Sequence, residues 1–135
     1  MANKHSIADL RIYQLALEQE DKVYKLAKTL SADQFELAND LRRAGAAVPH
    51  YIYEAHQRYS YQSKIEALHA ARTQAERAVK LLESPAAPDS GRRLVEDYTA
   101  LIKQTWGLIK YLKQKLAERN VRSETQANEL VTSRP

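Results

Sequence analysis

The chain has 135 residues, no cysteine, three glycines and four prolines, and its formal net charge is +4. A chain of this length is expected to form one domain with its own core. The absence of cysteine excludes disulfides and thiolate chemistry, and it fits the reducing cytoplasm, where we expect the protein to be located. No apolar run approaches the roughly 18 residues that a membrane-spanning helix needs, so no membrane partner is predicted.

The scarcity of glycine and proline, together with abundant helix-forming residues, predicts an all-α chain. The first predicted helix covers about residues 7–30, with an apolar stripe that Gln19 interrupts. The second covers about 32–59 and carries apolar or small residues at the 3–4 spacing of a helix-bundle seam: Ala38, Leu41, Gly45, Val48, Ile52 and Ala55. Pro49 lies inside this helix. Because the apolar register continues past it, we predict a kink at 45–49 rather than a break.

The third predicted helix covers about residues 61–83, and Arg72 interrupts its apolar stripe. Two interpretations of Arg72 stay open: it reaches the acidic residues of the first helix, or its stem lies on apolar surface while the guanidinium reaches solvent. A loop with two prolines and a glycine follows at 83–91, and the fourth helix covers about 90–119. The remaining residues, 121–135, are polar and aperiodic, which predicts a flexible tail.

Four long helices with short connections predict an up-down four-helix bundle over residues 1–120. The positive charge is concentrated on the last helix, since residues 90–120 contain seven Lys or Arg against three Asp or Glu. Arg92, Lys103 and Lys110 project from nearly the opposite side to the apolar band, and Lys113 lies at its margin. This cationic stripe indicates a surface that faces a polyanion; the alternative is an ordinary solvated helix face.

Catalytic and metal-binding patterns are not found in the sequence. His50 and Glu54 stand four residues apart, but the order His-Glu-x-x-His is absent. Glu66 and His69 form a single Glu-x-x-His pair, whereas di-iron bundles use two such pairs. Gly-rich phosphate loops and the Gly-x-Ser-x-Gly pattern are also missing. We therefore predict a protein that is not an enzyme and that uses no metal or cofactor.

Residues 41–61, LRRAGAAVPHYIYEAHQRYSY, hold the densest group of unusual side chains: an arginine pair, a proline and four of the eight tyrosines. Together with 9–30 and 67–82, this stretch resembles a bacterial four-helix-bundle family. The family includes the intervening-sequence proteins encoded within large-subunit ribosomal RNA genes and the accessory variability determinants of diversity-generating retroelements. The segment LRRAGAAVP is similar to the family's Leu-Arg-Arg-Ala signature, and the family's Asn-Ile-Ala-Glu-Gly motif falls on residues 51–55.

The chain departs from that motif at Tyr51, Tyr53 and Ala55, while Ile52 and Glu54 match it. A role that depends on the amide of the family's asparagine is therefore not carried over. The resemblance implies a homopentameric barrel of bundles. It also implies nucleic acid and a reverse transcriptase as partners, because the retroelement members associate with both.

The first functional hypothesis is a non-enzymatic, oligomeric accessory protein that binds RNA or DNA through its basic helix surface. Basic side chains would neutralise phosphates, and exposed tyrosines such as Tyr51, Tyr53 or Tyr59 could stack on unpaired bases. The predicted nucleic-acid-binding residues are Arg42, Arg43, Arg58, Arg92, Lys103, Lys110 and Lys113.

The second hypothesis is a structural module that assembles with other proteins and does not bind nucleic acid. Tyrosine is enriched at protein interfaces, so the tyrosines near the end of the second helix would then be subunit contacts or core residues. The predicted interface residues are Tyr51, Tyr53, Tyr59, Tyr61 and Glu54.

Overall fold

The computed structural model describes residues 6–132, which form four α-helices joined by short connections. The helices are α1 (Ser6–Lys28), α2 (Phe35–Gln57), α3 (Tyr61–Leu82) and α4 (Arg92–Thr132). Short 3-10 turns at Ala32–Gln34 and Asp89–Gly91 precede α2 and α4. Since residues 6–132 contain no strand, the predicted all-α class is confirmed.

Each helix packs along the helix that follows it, and a sparser contact between α1 and α4 closes the bundle. Consequently α2 and α4 lie diagonally across the core. Two ion pairs bridge neighbouring helices on the outside, Lys22 with Asp97 at 3.5 Å and Arg77 with Asp40 at 3.7 Å. Partly exposed pairs of this kind contribute little to stability, so the burial of apolar side chains holds the four helices together.

The predicted seam of α2 is confirmed, because all of its side chains are buried: Ala38, Leu41, Gly45, Val48, Ile52 and Ala55. The helix is continuous from Phe35 to Gln57 with Pro49 inside it. A proline removes one hydrogen bond from a helix interior, yet Pro49 is itself buried among the helices. Packing against the neighbouring helices therefore keeps α2 in one piece, as the unbroken apolar register predicted.

Gly45 is required by the close approach of three helices. A Cβ atom at this position would lie 3.2 Å from Val23 Cγ1 of α1 and 3.5 Å from the hydroxyl oxygen of Tyr98 of α4. The first distance is tighter than ordinary van der Waals contact. Gly45 therefore makes room for α1.

Tyr98 lies at the centre of the core and is completely buried. Burial, assisted by the negative charge of Glu20, raises the pKa of the Tyr98 hydroxyl well above its ordinary value of 10.0. The phenol is therefore neutral at physiological pH. Its hydroxyl and the side-chain oxygen of buried Gln19 have no hydrogen-bond partner in the described part of the chain.

The predicted flexible tail at 121–135 is corrected in part, because α4 runs to Thr132 and does not end near Arg119. Residues 133–135 lie outside the described part of the chain.

The segment 117–132 contains no glycine or proline to end the helix, and extending an existing helix avoids the cost of nucleation. The side chains of 117–128 are all exposed, which explains why they lack an apolar period. At 1.5 Å per residue, 119–132 extend α4 by about 20 Å.

Candidate nucleic-acid interface

The only tryptophan of the chain, Trp106, lies on α4 among four basic or titratable side chains from α3 and α4. The guanidinium carbon of Arg72 is 4.6 Å from the ring centroid of Trp106, and the ammonium nitrogens of Lys113 and Lys110 are 5.4 and 5.6 Å from it. The His69 ring centroid is 5.9 Å from that of Trp106. We call these five residues the Trp106 cluster.

Helical spacing and the packing of α3 on α4 together build the cluster. His69 and Arg72 stand three residues apart on one side of α3, while Lys110 and Lys113 follow Trp106 by four and seven residues on one side of α4. Cations this close repel one another, but the negative face of an indole ring attracts them. Trp106 therefore holds in one place side chains that would otherwise spread apart in solvent.

The surface around the cluster is positively charged. Between Asp97 and Glu118, α4 carries four lysines and no acidic residue. Lys103, Lys110 and Lys113 are exposed and form no ion pair with any residue in the described range.

Arg72 has a distant acidic neighbour, since its Nε lies 3.9 Å from a carboxylate oxygen of Glu76. That distance is too long for a hydrogen bond, and the buried Nε has no hydrogen-bond partner among the described residues. The first sequence interpretation is wrong, because Arg72 lies over Trp106 and not beside the acidic residues of α1. With 29% of its side chain exposed, Arg72 lies at the edge of the bundle, as the second interpretation predicted.

The pKa of His69 is affected by this positive surface. Burial, followed by the charges of Arg72 and Lys113, lowers the pKa of His69 below its ordinary value of 6.5. The imidazole is therefore neutral at pH 7 and becomes a further cation when the solution is acidified or when a bound anion offsets its neighbours.

A groove of about 400 Å³ between α3 and α4 adjoins the cluster and shares His69 and Lys113 with it. Its remaining lining residues are Gln62, Ile65, Glu66, Leu116, Ala117 and Asn120. Ile65 is buried and Leu116 half-buried, whereas the amides of Gln62 and Asn120 are exposed. The groove thus has an apolar floor, amides at its rim, and cations on the side of the Trp106 cluster.

The structure brings together only some of the predicted nucleic-acid-binding residues. Lys103, Lys110 and Lys113 share one side of α4 with Trp106. Arg92 is exposed at the start of the same helix, about 16 Å from Lys103 along its axis at 1.5 Å per residue. The other three predicted residues, Arg42, Arg43 and Arg58, belong to α2 or its end. Since α2 lies diagonally from α4, Arg42 and Arg43 do not extend the lysine surface, whereas Arg58 lies beside Ser63 of α3.

Two of the α2 arginines make contacts within the chain. The guanidinium of Arg42 lies 5.6 Å from the ring of Tyr24, and its buried Nε has no hydrogen-bond partner among residues 10–128. Arg58 donates from Nη1 to the carbonyl and hydroxyl oxygens of Ser63, at 3.2 and 3.4 Å. Arg58 therefore orders the turn between α2 and α3, and its contact with nucleic acid stays a prediction.

The predicted interface residues divide into two groups by burial. Tyr51, Glu54 and Tyr61 are half-buried, and both tyrosines pack against the core of this bundle. Tyr53 is 49% exposed with its ring 6.1 Å from that of Tyr13, and Tyr59 is fully exposed in the turn between α2 and α3. A role of these five residues between subunits stays a prediction.

Sequence reasoning missed Trp106, Arg72 and His69 as members of one site. A signal was present, since Trp106 falls between Lys103 and Lys110 at helical spacing and Arg72 occupies a position where an apolar residue was due. What the sequence could not supply is the rotation of α3 that turns Arg72 toward Trp106.

In the described range, no group of three or more His, Cys, Asp or Glu side chains is arranged to hold a metal ion. Within the same range, no helix combines the length and apolar character needed to cross a membrane.

The fold and site define a four-helix-bundle protein with one cationic-aromatic face on α3 and α4. A family model described as the 23S rRNA-intervening sequence protein matches residues 8–114. This match covers most of the chain, which therefore belongs to that family, as the resemblance of residues 9–30, 41–61 and 67–82 predicted. No curated protein and no solved structure matches the chain.

Proposed function

We propose that this protein is a non-enzymatic accessory protein that binds nucleic acid through the cationic surface of α4 and the adjoining Arg72 of α3. The observation that carries the proposal is the Trp106 cluster, where three cations surround one indole ring and, among the described residues, only Arg72 has an acidic partner, Glu76 at 3.9 Å. A polyanion would relieve their mutual repulsion and release its own counterions. The family's description refers to 23S rRNA, so RNA is the favoured nucleic acid and DNA the second.

The proposal is tested by reversing the charge of Lys103, Lys110 and Lys113 together to Glu. All three side chains are exposed, so the fold should survive. Each Lys→Glu change removes two positive units, and the net charge falls from +4 to −2. We expect RNA affinity at moderate salt to fall by about 10-fold to 100-fold. In a plot of log affinity against log salt concentration, the negative slope should become shallower by about two.

The matched control reverses three exposed lysines away from this surface, Lys25, Lys28 and Lys80. It produces the same net charge, so a loss confined to the first variant assigns binding to α4. Equal losses in both variants would indicate attraction by total charge alone. Undiminished binding by the α4 variant would refute the proposed surface.

A second candidate function, a protein assembly module, is favoured by apolar side chains exposed on or beside α1 and α2. Leu10 is 51% exposed, Phe35 64%, Tyr53 49% and Tyr59 100%. A homo-oligomer, with a pentamer as the state that the family resemblance implies, would cover them, and a reverse transcriptase is the protein partner implied in the same way. Light scattering with and without RNA separates the two functions, because assembly alone predicts a constant mass that RNA and salt do not alter.

A further inference from the structure

We propose that the groove between α3 and α4 binds one unpaired nucleotide of a single-stranded nucleic acid, with its base on the groove floor and its phosphate on Lys113 and Arg72. This inference rests on the proposed function and adds to it the class of nucleic acid. It also assigns to binding the groove residues that lie outside the lysine surface, chiefly Gln62, Ile65, Leu116 and Asn120.

The shape of the groove suits a planar base. Its volume of about 400 Å³ falls in the range of small-molecule sites, about 300–1,000 Å³. Ile65 and Leu116 offer apolar surface at the floor. A base removed from its stack exposes two apolar faces to water, and covering one of them with apolar side chains is favourable.

The polar groups of the groove are arranged as a nucleotide requires. Gln62 and Asn120 place amides at the rim. Gln62 Nε2 donates to the carboxylate of Glu66 at 3.4 Å, which leaves its second N–H and its oxygen, together with the amide of Asn120, to pair with the edge of a base. The positive charges lie on the other side, where Lys113 both lines the groove and contacts Trp106. A neutral base and an anionic phosphate match this division between amides and cations.

Arg72 adds a cation beside the groove. Its guanidinium is held over Trp106 at 4.6 Å, its Nε is buried, and 29% of its side chain is exposed to a bound phosphate. Because the guanidinium already covers the ring of Trp106, we do not expect the base to stack on the indole. The base is expected in the groove beside Trp106, and the indole holds the cations in place. Trp106 is therefore a positioning residue in this site.

A duplex fits the same surface less well. In double-stranded RNA the bases are stacked and paired, so neither a base face nor a pairing edge can enter the groove. A duplex can still contact the exposed lysines of α4 through its phosphates. The groove therefore predicts a preference for single strands over duplexes of equal length, added to an electrostatic affinity that both share.

The fluorescence of Trp106 can be measured without interference, since it is the only tryptophan in the chain. We would titrate the full chain with a single-stranded RNA of about 12 nucleotides, within the site sizes of single-strand-binding folds, and with the duplex of the same strand. Tryptophan fluorescence reports binding at the Trp106 cluster beside the groove, and the polarisation of a dye on the RNA reports total binding. We expect the single strand to bind at least about 5-fold more tightly and to change the fluorescence more.

The specific variant replaces both amides, Gln62→Leu and Asn120→Leu. Both side chains are exposed, so the fold should persist, and the matched control replaces two exposed amides elsewhere, Gln14→Leu and Gln104→Leu. We expect the groove variant to lose the preference for single strands while keeping its duplex affinity, and the control to keep both.

The two proposals fail in distinguishable ways. Equal affinity for both RNAs, or a groove variant that keeps the preference, would overturn the groove assignment while leaving nucleic-acid binding by α4 intact. If the wild-type protein changes the polarisation of neither RNA, the proposed function and this inference both fall.

Discussion

The stretch 41–61 and the Trp106 cluster both combine basic and aromatic side chains, but the molecule uses them differently. In the first, unusual residues are adjacent in the sequence and most serve the bundle, as Gly45, Pro49 and Arg58 show. In the second, Arg72 and Trp106 are 34 positions apart and meet only because α3 packs on α4. Residues that cluster in a sequence can be there for packing, whereas a binding surface can be assembled from positions that look ordinary.

The contacts of the two regions explain this difference. Two cations make hydrogen bonds at the C-terminal end of α2. Arg58 donates to Ser63, and the ammonium of Lys64 donates to the carbonyl oxygens of Ala55 and His56 at 3.1 and 3.3 Å. These cations satisfy backbone groups that a helix end leaves unpaired. Around Trp106 the side chains of Lys110 and Lys113 instead are exposed to solvent. We therefore expect substitutions in 41–61 to change stability and substitutions in the Trp106 cluster to change binding.

The largest stability effect is expected for Gly45→Val. A Cβ already lies 3.2 Å from Val23 Cγ1, and the two further methyl groups of valine would force α1 away from α2. We expect the free energy of unfolding to fall by about 3 kcal/mol, at the upper end for overpacking, with little change in the RNA affinity of the protein that remains folded. Urea denaturation and polarisation measure the two quantities.

Gly107 on α4 provides the control, because a Cβ there meets no atom within 4 Å. Gly107→Ala should raise the free energy of unfolding by about 0.5–1 kcal/mol through helix propensity alone. Equal stability of Gly45→Val and wild type would mean that α1 and α2 do not approach as closely as described.

A smaller loss of stability is expected for Arg58→Ala, which removes the two hydrogen bonds to Ser63. The free energy of unfolding should fall by about 1–2 kcal/mol, since hydrogen bonds from charged groups are stronger than neutral ones. Arg43→Ala is the matched control, because Arg43 is exposed on the same helix, and it should change stability by less than about 0.5 kcal/mol. If Arg58→Ala weakens RNA binding and leaves stability unchanged, the division between the two regions is wrong.

The smallest effect concerns the pH dependence of RNA binding through His69. Burial, Arg72 and Lys113 lower the pKa of His69 below 6.5, so the free folded protein binds this proton more weakly than the unfolded chain does. His69 therefore makes the free protein less stable as the pH falls below about 6.5. A phosphate bound beside Arg72 and Lys113 would offset their charge and raise the pKa of His69, which couples RNA binding to proton uptake.

We expect RNA affinity to rise by about 2-fold to 4-fold between pH 7.5 and pH 5.5 because of His69. The carboxylate of Glu66 also lines the groove, and it is present in both proteins of the comparison below. Comparing wild type with His69→Gln removes the contributions of the other histidines. A His69→Gln protein with the same pH dependence as wild type would show that His69 does not face the bound phosphate.

Much of the fold could be predicted because helix formation and burial leave a local record in the sequence. The seam from Ala38 to Ala55 was predicted position by position. A helix start leaves a local record too, since Ser60 begins α3 by accepting a hydrogen bond from the Ser63 backbone N–H at 3.0 Å. The end of α4 was predicted too early because its last turns are solvated on every described side, and a solvated helix has no apolar period to reveal it. The candidate site was predicted only for its α4 lysines.

The sequence by itself determined the helical class, the faces that are buried and the family, since all three depend on residue types at short, fixed spacings. The tertiary structure alone decided that Arg72 and His69 join Trp106, and that Arg58 turns inward onto Ser63. The physical reason is that periodicity fixes which side of a helix faces the core but not how neighbouring helices are rotated and shifted against one another. That relative placement follows from the packing of the whole set of buried side chains, and it is what brings the cationic side chains around Trp106 together.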